Sequence, residues 1–153
     1  MAFANPADVE VLNKIQLPFS ISTPTSALAS VALSPVYRQL RARLTSQIII
    51  NRHTLIRALG QSDLVVLGVG KPLGGNHANF VVLPILKRHT GATGPRDNPR
   101  AKVVCEKLKE AHAISVRFIG DLLSCEGCLR ITVGTENENE LLVTGLGCVL
   151  KDY

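Results

Sequence analysis

Apolar positions along the chain follow two regimes, and the change falls near Gly60. Before it, Ala27, Leu28, Val31, Ala32 and Leu33, then Leu40, Leu44, Ile48, Leu55 and Ile56, recur at spacings near the helical repeat. Thr23 is placed to cap this stretch, Pro24 takes the first helical position, and Gly60 is a fitting stop. Ser34-Pro35 interrupts it, so the pattern predicts a kinked helix, or two helices in series, over 23–60. Residues 1–22 read as an entry segment with apolar Leu12, Ile15 and Leu17, broken at Pro18.

Beyond Gly60 the period shortens. Leu64-Val-Val-Leu67, within 63–68, predicts a short strand, and Ala78-Asn-Phe-Val-Val-Leu83 predicts a second. Residues 84–98 predict a long loop. Asn98-Pro99 opens a helix from about Arg100 to His112, with Val104, Cys105, Leu108 and Ala111 on one side. Strands are expected at 114–119 and 128–133. Thr135 and Glu138 form a capping-box pair ahead of a last helix lined by Leu142, Leu146 and Leu150. The order predicts an α+β fold: a long connecting helix, then a small mixed sheet with helices on one side. The expected organisation is 1–22, 23–60 and 61–153, the last containing the 84–100 loop.

Composition narrows the class. With 46% hydrophobic and 19% charged residues in 153, the chain suits one folded domain or a piece of a larger one, not a disordered segment. No apolar run reaches the length of a membrane span, and the amino terminus lacks a secretory pattern. An intracellular, cytoplasmic protein is expected, with its four cysteines as thiols. The net charge is +5. It concentrates in Lys71, Lys87, Arg88, Arg96, Arg100 and Lys102, opposed there only by Asp97. Such a segment could meet nucleic acid, but its Gly, Pro and Asn content reads as a solvated loop, and bases would find few aromatic platforms.

Strand alternation gives the sharpest chemical clue. Ile114, Val116 and Phe118 share one face of their strand and leave Arg117 on the other. Leu129, Ile131 and Val133 likewise leave Arg130. Two guanidinium forks set off the core suit a phosphate or a carboxylate. The bland alternative is that each arginine pairs with a surface carboxylate.

Cys125-Glu-Gly-Cys-Leu-Arg-Ile-Thr-Val-Gly-Thr135 resembles the carboxyl-terminal signature of histidinol-phosphate aminotransferases, which are fold-type I pyridoxal-phosphate enzymes. Ile114-Ser-Val-Arg117, Asn76-His-Ala-Asn-Phe-Val-Val82, Leu12-Asn-Lys-Ile-Gln-Leu-Pro18 and Thr25-Ser-Ala-Leu-Ala29 extend the resemblance in order from about Met1 to Leu150. It implies the small domain of that fold, with Arg130 gripping the anionic end of substrate and Arg117 helping to hold the phosphate of histidinol phosphate. It further implies glutamate and 2-oxoglutarate as the other substrates, pyridoxal phosphate as cofactor and a homodimer, without membrane or nucleic-acid partners.

None of Lys14, Lys71, Lys87, Lys102, Lys107, Lys109 or Lys151 sits in the family's Schiff-base lysine motif, so the chain alone is expected to be inactive and to assign no catalytic residue. It reads as a carboxyl-terminal portion, whose uncovered face is expected to limit solubility. Where relatives often read P-Y-N, this chain has Pro18-Phe19-Ser20. A related phosphate-recognising decarboxylase, a non-catalytic truncated paralogue with an anion-binding surface, and a small basic nucleic-acid-binding domain are the alternatives.

Other signals are weaker. Cys125-Glu-Gly-Cys128 lacks a second ligand pair for zinc and precedes a strand, so ordinary thiols are expected. Gly68-Val-Gly-Lys-Pro-Leu-Gly-Gly75 lacks the ending of a phosphate loop and reads as a mobile turn. His53, His77, His89 and His112 are scattered.

Overall fold

The computed structural model describes residues 4–16, 21–74, 77–88, 90, 91 and 93–153. The expected features at Leu17, Pro18-Phe19-Ser20, Asn76 and His89 lie outside these. Two compact units are present, 1–43 and 44–153, and they divide within one helix.

The first unit carries α1 (Pro6–Ile15), α2 (Thr23–Ala32) and the start of α3 (Pro35–Leu59). Helix α1 was not anticipated in the entry segment. Its cause is local: Asn5 caps it by accepting from the Ala7 N–H at 3.2 Å, and Glu10 pairs with Lys14 at 2.9 Å. The serial-helix alternative is the one observed, with Leu33 and Ser34 between α2 and α3. The α2 cap is Ser22, one residue before the expected Thr23. No residue of α1 or α2 is buried, and Ile15, Leu28 and Val36 are largely exposed.

The second unit holds the core. Leu55 and Leu59 bring the end of α3 into it, beside α4 (Ser62–Val66). The strand expected at 63–68 is therefore a helix. Ser62 and Asp63 start it, and its five residues are too few for periodicity to separate a buried turn from a buried strand. The sheet comprises β1 (Phe80–Pro84), β2 (Arg117–Phe118) and β3 (Cys128–Thr132) in the order β1-β3-β2. Both pairings are antiparallel, where a mixed sheet was expected. Val81, Leu83, Leu129 and Ile131 are buried on its inner face with Val104 and Leu108 of α5 (Asn98–His112) and Leu142, Leu146 and Leu150 of α6 (Glu136–Asp152). Burial of such aliphatic side chains contributes roughly 1.5–3 kcal/mol each.

Three local expectations change. The strand at 114–119 pairs only at Arg117 and Phe118, because 113–116 stands off from Ile131–Val133 across a cleft of about 590 Å³. The 68–75 turn is tied down rather than mobile where it is described. The Gly70 and Leu73 N–H groups donate to the Pro84 and Val82 carbonyls, so they are not free to cradle a phosphate. The basic segment is not simply solvated. Arg88 donates to the Lys151 carbonyl at 2.7 Å, and Arg96 to that of Ser124 at 2.9 Å.

Arg100 is the most integrated of these cations. It is buried and donates to the carbonyls of Leu86 (2.7 Å), Leu67 (2.8 Å), Tyr153 (3.2 Å) and Leu150 (3.4 Å). Those of Leu150 and Tyr153 belong to the carboxyl end of α6, where carbonyls lack helical partners and a cation is favoured. Gly68, at φ +92°, makes room: a side chain there would run into the Arg100 guanidinium and the Leu86 carbonyl.

Candidate functional site

Alternation along β3 places Cys128, Arg130 and Thr132 opposite to Leu129 and Ile131. Arg130 pairs in register with Val82 of β1 on one side and with Arg117 of β2 on the other. The two arginines singled out from the sequence are thus direct cross-strand neighbours on one face. Arg117 is exposed and Arg130 half-buried. Among the described residues neither guanidinium has a carboxylate partner or a hydrogen bond. Like charges directly opposed on a sheet are destabilising, so the two guanidinium groups set a local excess of positive charge on this face. An anion lying across both forks relieves it.

Phe80 completes this face and was missed as a site residue. Its ring lies 4.4 Å from the Arg130 guanidinium carbon. Period-two patterning sets Phe80 and Val82 opposite to buried Val81 and Leu83, but only the β1–β3 register brings Phe80 to the diagonal of Arg130. Two side chains of α3 fix the same end of the sheet. Asn51 donates to the Gly134 carbonyl at 3.0 Å, and buried Arg52 to that of Ala78 at 2.8 Å. Beyond Gly134, Thr135 and Glu138 form the expected capping box: the Thr135 N–H and hydroxyl donate to the Glu138 carboxylate at 2.7 and 2.8 Å.

The Thr135 N–H, and then its hydroxyl, hold the Glu138 carboxyl below the ordinary glutamate range. A depressed folded-state value means that the cap stabilises fully above the ordinary range and is lost as pH falls through the folded value. Titration of Glu138 by carbon-13 NMR is expected to show a midpoint below the ordinary glutamate range. An unshifted midpoint would show that the cap does not bind the carboxylate in solution.

The remaining candidates do not assemble into chemistry. The four cysteines are free thiols. Cys128 is buried, and burial pushes its thiol upward, away from the reactive thiolate. No group of three or more metal-ligating side chains occurs among the described residues. No described helix is long and apolar enough to cross a membrane.

Residues 1–146 match the model of aminotransferase class I and II. The chain belongs to that family. Among curated aminotransferases, it is 38% identical over 143 residues to a histidinol-phosphate aminotransferase of Schizosaccharomyces pombe, covering 94% of this chain and 36% of that protein. A histidinol-phosphate aminotransferase of Candida maltosa is 33% identical over 141 residues, 92% of this chain and 34% of that one. The chain thus spans about a third of the length of these relatives. The fold also matches the histidinol-phosphate aminotransferase of Sinorhizobium meliloti, solved with pyridoxal-5'-phosphate, at a TM-score of 0.70 and 23% identity over 96% of this chain and 35% of that one. A decarboxylase from Sulfurospirillum multivorans matches at 0.73 and 22%, over 95% and 37%.

Membership in this aminotransferase family raises the question of its cofactor. A lysine that joins pyridoxal phosphate needs its pKa lowered, as by desolvation in an apolar pocket. Lys14, Lys71, Lys87, Lys102, Lys109 and Lys151 are exposed. Lys107 is half-exposed and held protonated by Glu110 at 2.8 Å. The lysines of this chain do not fit that role.

Proposed function

We propose that this chain is the substrate-recognising part of a histidinol-phosphate aminotransferase, the enzyme that moves an amino group between histidinol phosphate and 2-oxoglutarate in histidine biosynthesis. The observation that carries the reading is the direct opposition of Arg117 and Arg130, free of carboxylates, on one sheet face. A phosphate on one substrate and carboxylates on the other present the same planar pairs of acceptor oxygens, and fixed guanidinium forks serve both. The roles are binding and orientation: Arg130 grips the anionic end of substrate, and Arg117 supports the phosphate. Neither moves a proton. Pyridoxal phosphate is the cofactor implied by the family and supplies the electron sink for amino transfer. Since no lysine here suits its attachment, transfer requires residues other than those of this chain. A homodimeric assembly goes with the same reading.

Titrating histidinol phosphate into the isotopically labelled chain tests this. Amide and guanidinium shifts are expected to move at Phe80, Arg117, Arg130 and Thr132, and to leave the cleft beside His112 unchanged. Absence of shifts at both arginines at millimolar ligand and low salt would overturn the reading.

A further inference from the structure

The arginines differ in how they are held, and the difference assigns a role to Phe80. Arg117 is exposed, on a two-residue strand at the edge of the sheet. Arg130 is on the central strand, opposite Val82, with its guanidinium over the Phe80 ring at 4.4 Å. Phe80 pairs in register with Thr132, two residues along from Arg130 on the same face. That diagonal is within reach of an aromatic and a long side chain. To lie there, the Arg130 side chain must lean along β3 toward Thr132. We propose that Phe80 is a positioning residue: it holds the Arg130 guanidinium flat against its ring and so presents the N–H fork edge-on to an incoming anion.

Three physical effects act together. The ring quadrupole attracts the cation, a contact that strengthens with desolvation. Stacking covers one guanidinium face and restricts the rotamers, so less side-chain entropy is lost when an anion is gripped. In the flat arrangement proposed here the in-plane N–H groups stay free, because a cation lying face to face on a ring uses none of them. The guanidinium has no hydrogen bond within the described protein to hold it otherwise. An arginine so prepared discriminates planar or tetrahedral oxyanions that accept two bonds from spherical ones that accept none in pairs.

The inference rests on the anion-binding reading of the arginine face, and the test separates the two. The probe is inorganic phosphate at low ionic strength, followed by calorimetry, with Arg130 Nε–H observed by NMR. In the ligand-free protein the Arg130 Nε–H signal is expected to carry an upfield ring-current shift, lost in Phe80→Leu and kept in Phe80→Tyr. Phosphate binding is expected to weaken about three- to tenfold in Phe80→Leu and to stay within about twofold in Phe80→Tyr. A general packing role would move the melting temperature rather than these readouts. Should Phe80→Leu fail to fold, Phe80→Met gives the same comparison with an unbranched side chain. If phosphate binds wild type, Arg130→Gln loses it and Phe80→Leu does not weaken it, the positioning role is overturned while the anion site stands. If wild type binds no phosphate, both fall.

Discussion

Replacing Arg100 by alanine is expected to remove about 3–5 kcal/mol from the stability of the unit formed by residues 44–153. The side chain is buried and its donors reach four backbone carbonyls on three separate stretches: Leu67, Leu86, and Leu150 with Tyr153. Truncation leaves the Leu67 and Leu86 carbonyls without this donor, and each unmade bond of a covered group costs about 1–3 kcal/mol. It also removes the cation from the carboxyl end of α6. Burial, and secondarily the nearby positive charge of Arg88, already lower the Arg100 pKa, with Asp97 acting in the opposite sense. The guanidinium is thus retained for geometry against an electrostatic cost. Arg100→Lys is expected to recover little, since one ammonium cannot reach carbonyls arrayed around a planar fork. Urea unfolding monitored by circular dichroism measures both. A loss below about 1 kcal/mol would show that the carbonyls find water instead.

The opposite signature is expected at the arginine face. Arg130→Ala should weaken binding of histidinol phosphate by about 2–3 kcal/mol, roughly 30- to 150-fold, since it removes a charge-assisted paired contact. Arg130→Lys should restore only part, lacking the fork and the flat surface that rests on Phe80. The ligand-free protein should respond in the other direction. Arg117→Gln relieves a like-charged pair placed directly opposite on the ladder and is expected to raise stability by about 0.2–1 kcal/mol at low salt. Salt screens that repulsion, so the gain should shrink as ionic strength rises. Calorimetric titration and thermal melts across a salt series check both. Unchanged affinity on Arg130→Ala, or lower stability on Arg117→Gln at low salt, would mean that these arginines serve the fold rather than a ligand.

These two kinds of arginine could not be separated from the sequence. Arg117 and Arg130 stood out because strand alternation is local, and three apolar residues on each strand fix which way the fourth side chain faces. Their opposition depends on a register set by the whole connection between β2 and β3, which no short pattern encodes. Arg100 was counted into a solvated basic stretch because its acceptors lie 14 to 53 residues away and are backbone atoms, which carry no residue signature. The Thr135–Glu138 cap was legible because both its bonds close within three residues. Helix α4 was not, since its apolar, β-branched run suits either element and tertiary packing decides. Phe80 belonged to a recognised strand, yet its meaning came from a guanidinium fifty residues further on.

The separation of β1 from its partner has a consequence for synthesis. Phe80–Pro84 is an apolar strand followed directly by Ile85 and Leu86. The preceding turn gives it the Gly70 and Leu73 N–H bonds, and the strand it pairs with is β3, which begins at Cys128. More than forty residues must therefore leave the ribosome after β1 before it can pair with another strand. At about 5–20 residues per second, that is several seconds in which a nascent chain displays a hydrophobic strand without its β3 partner. Such a segment is a template for mispairing between neighbouring chains on one polysome. Yield of soluble product should then depend on elongation speed across the α5 codons as much as on the stability of the finished domain.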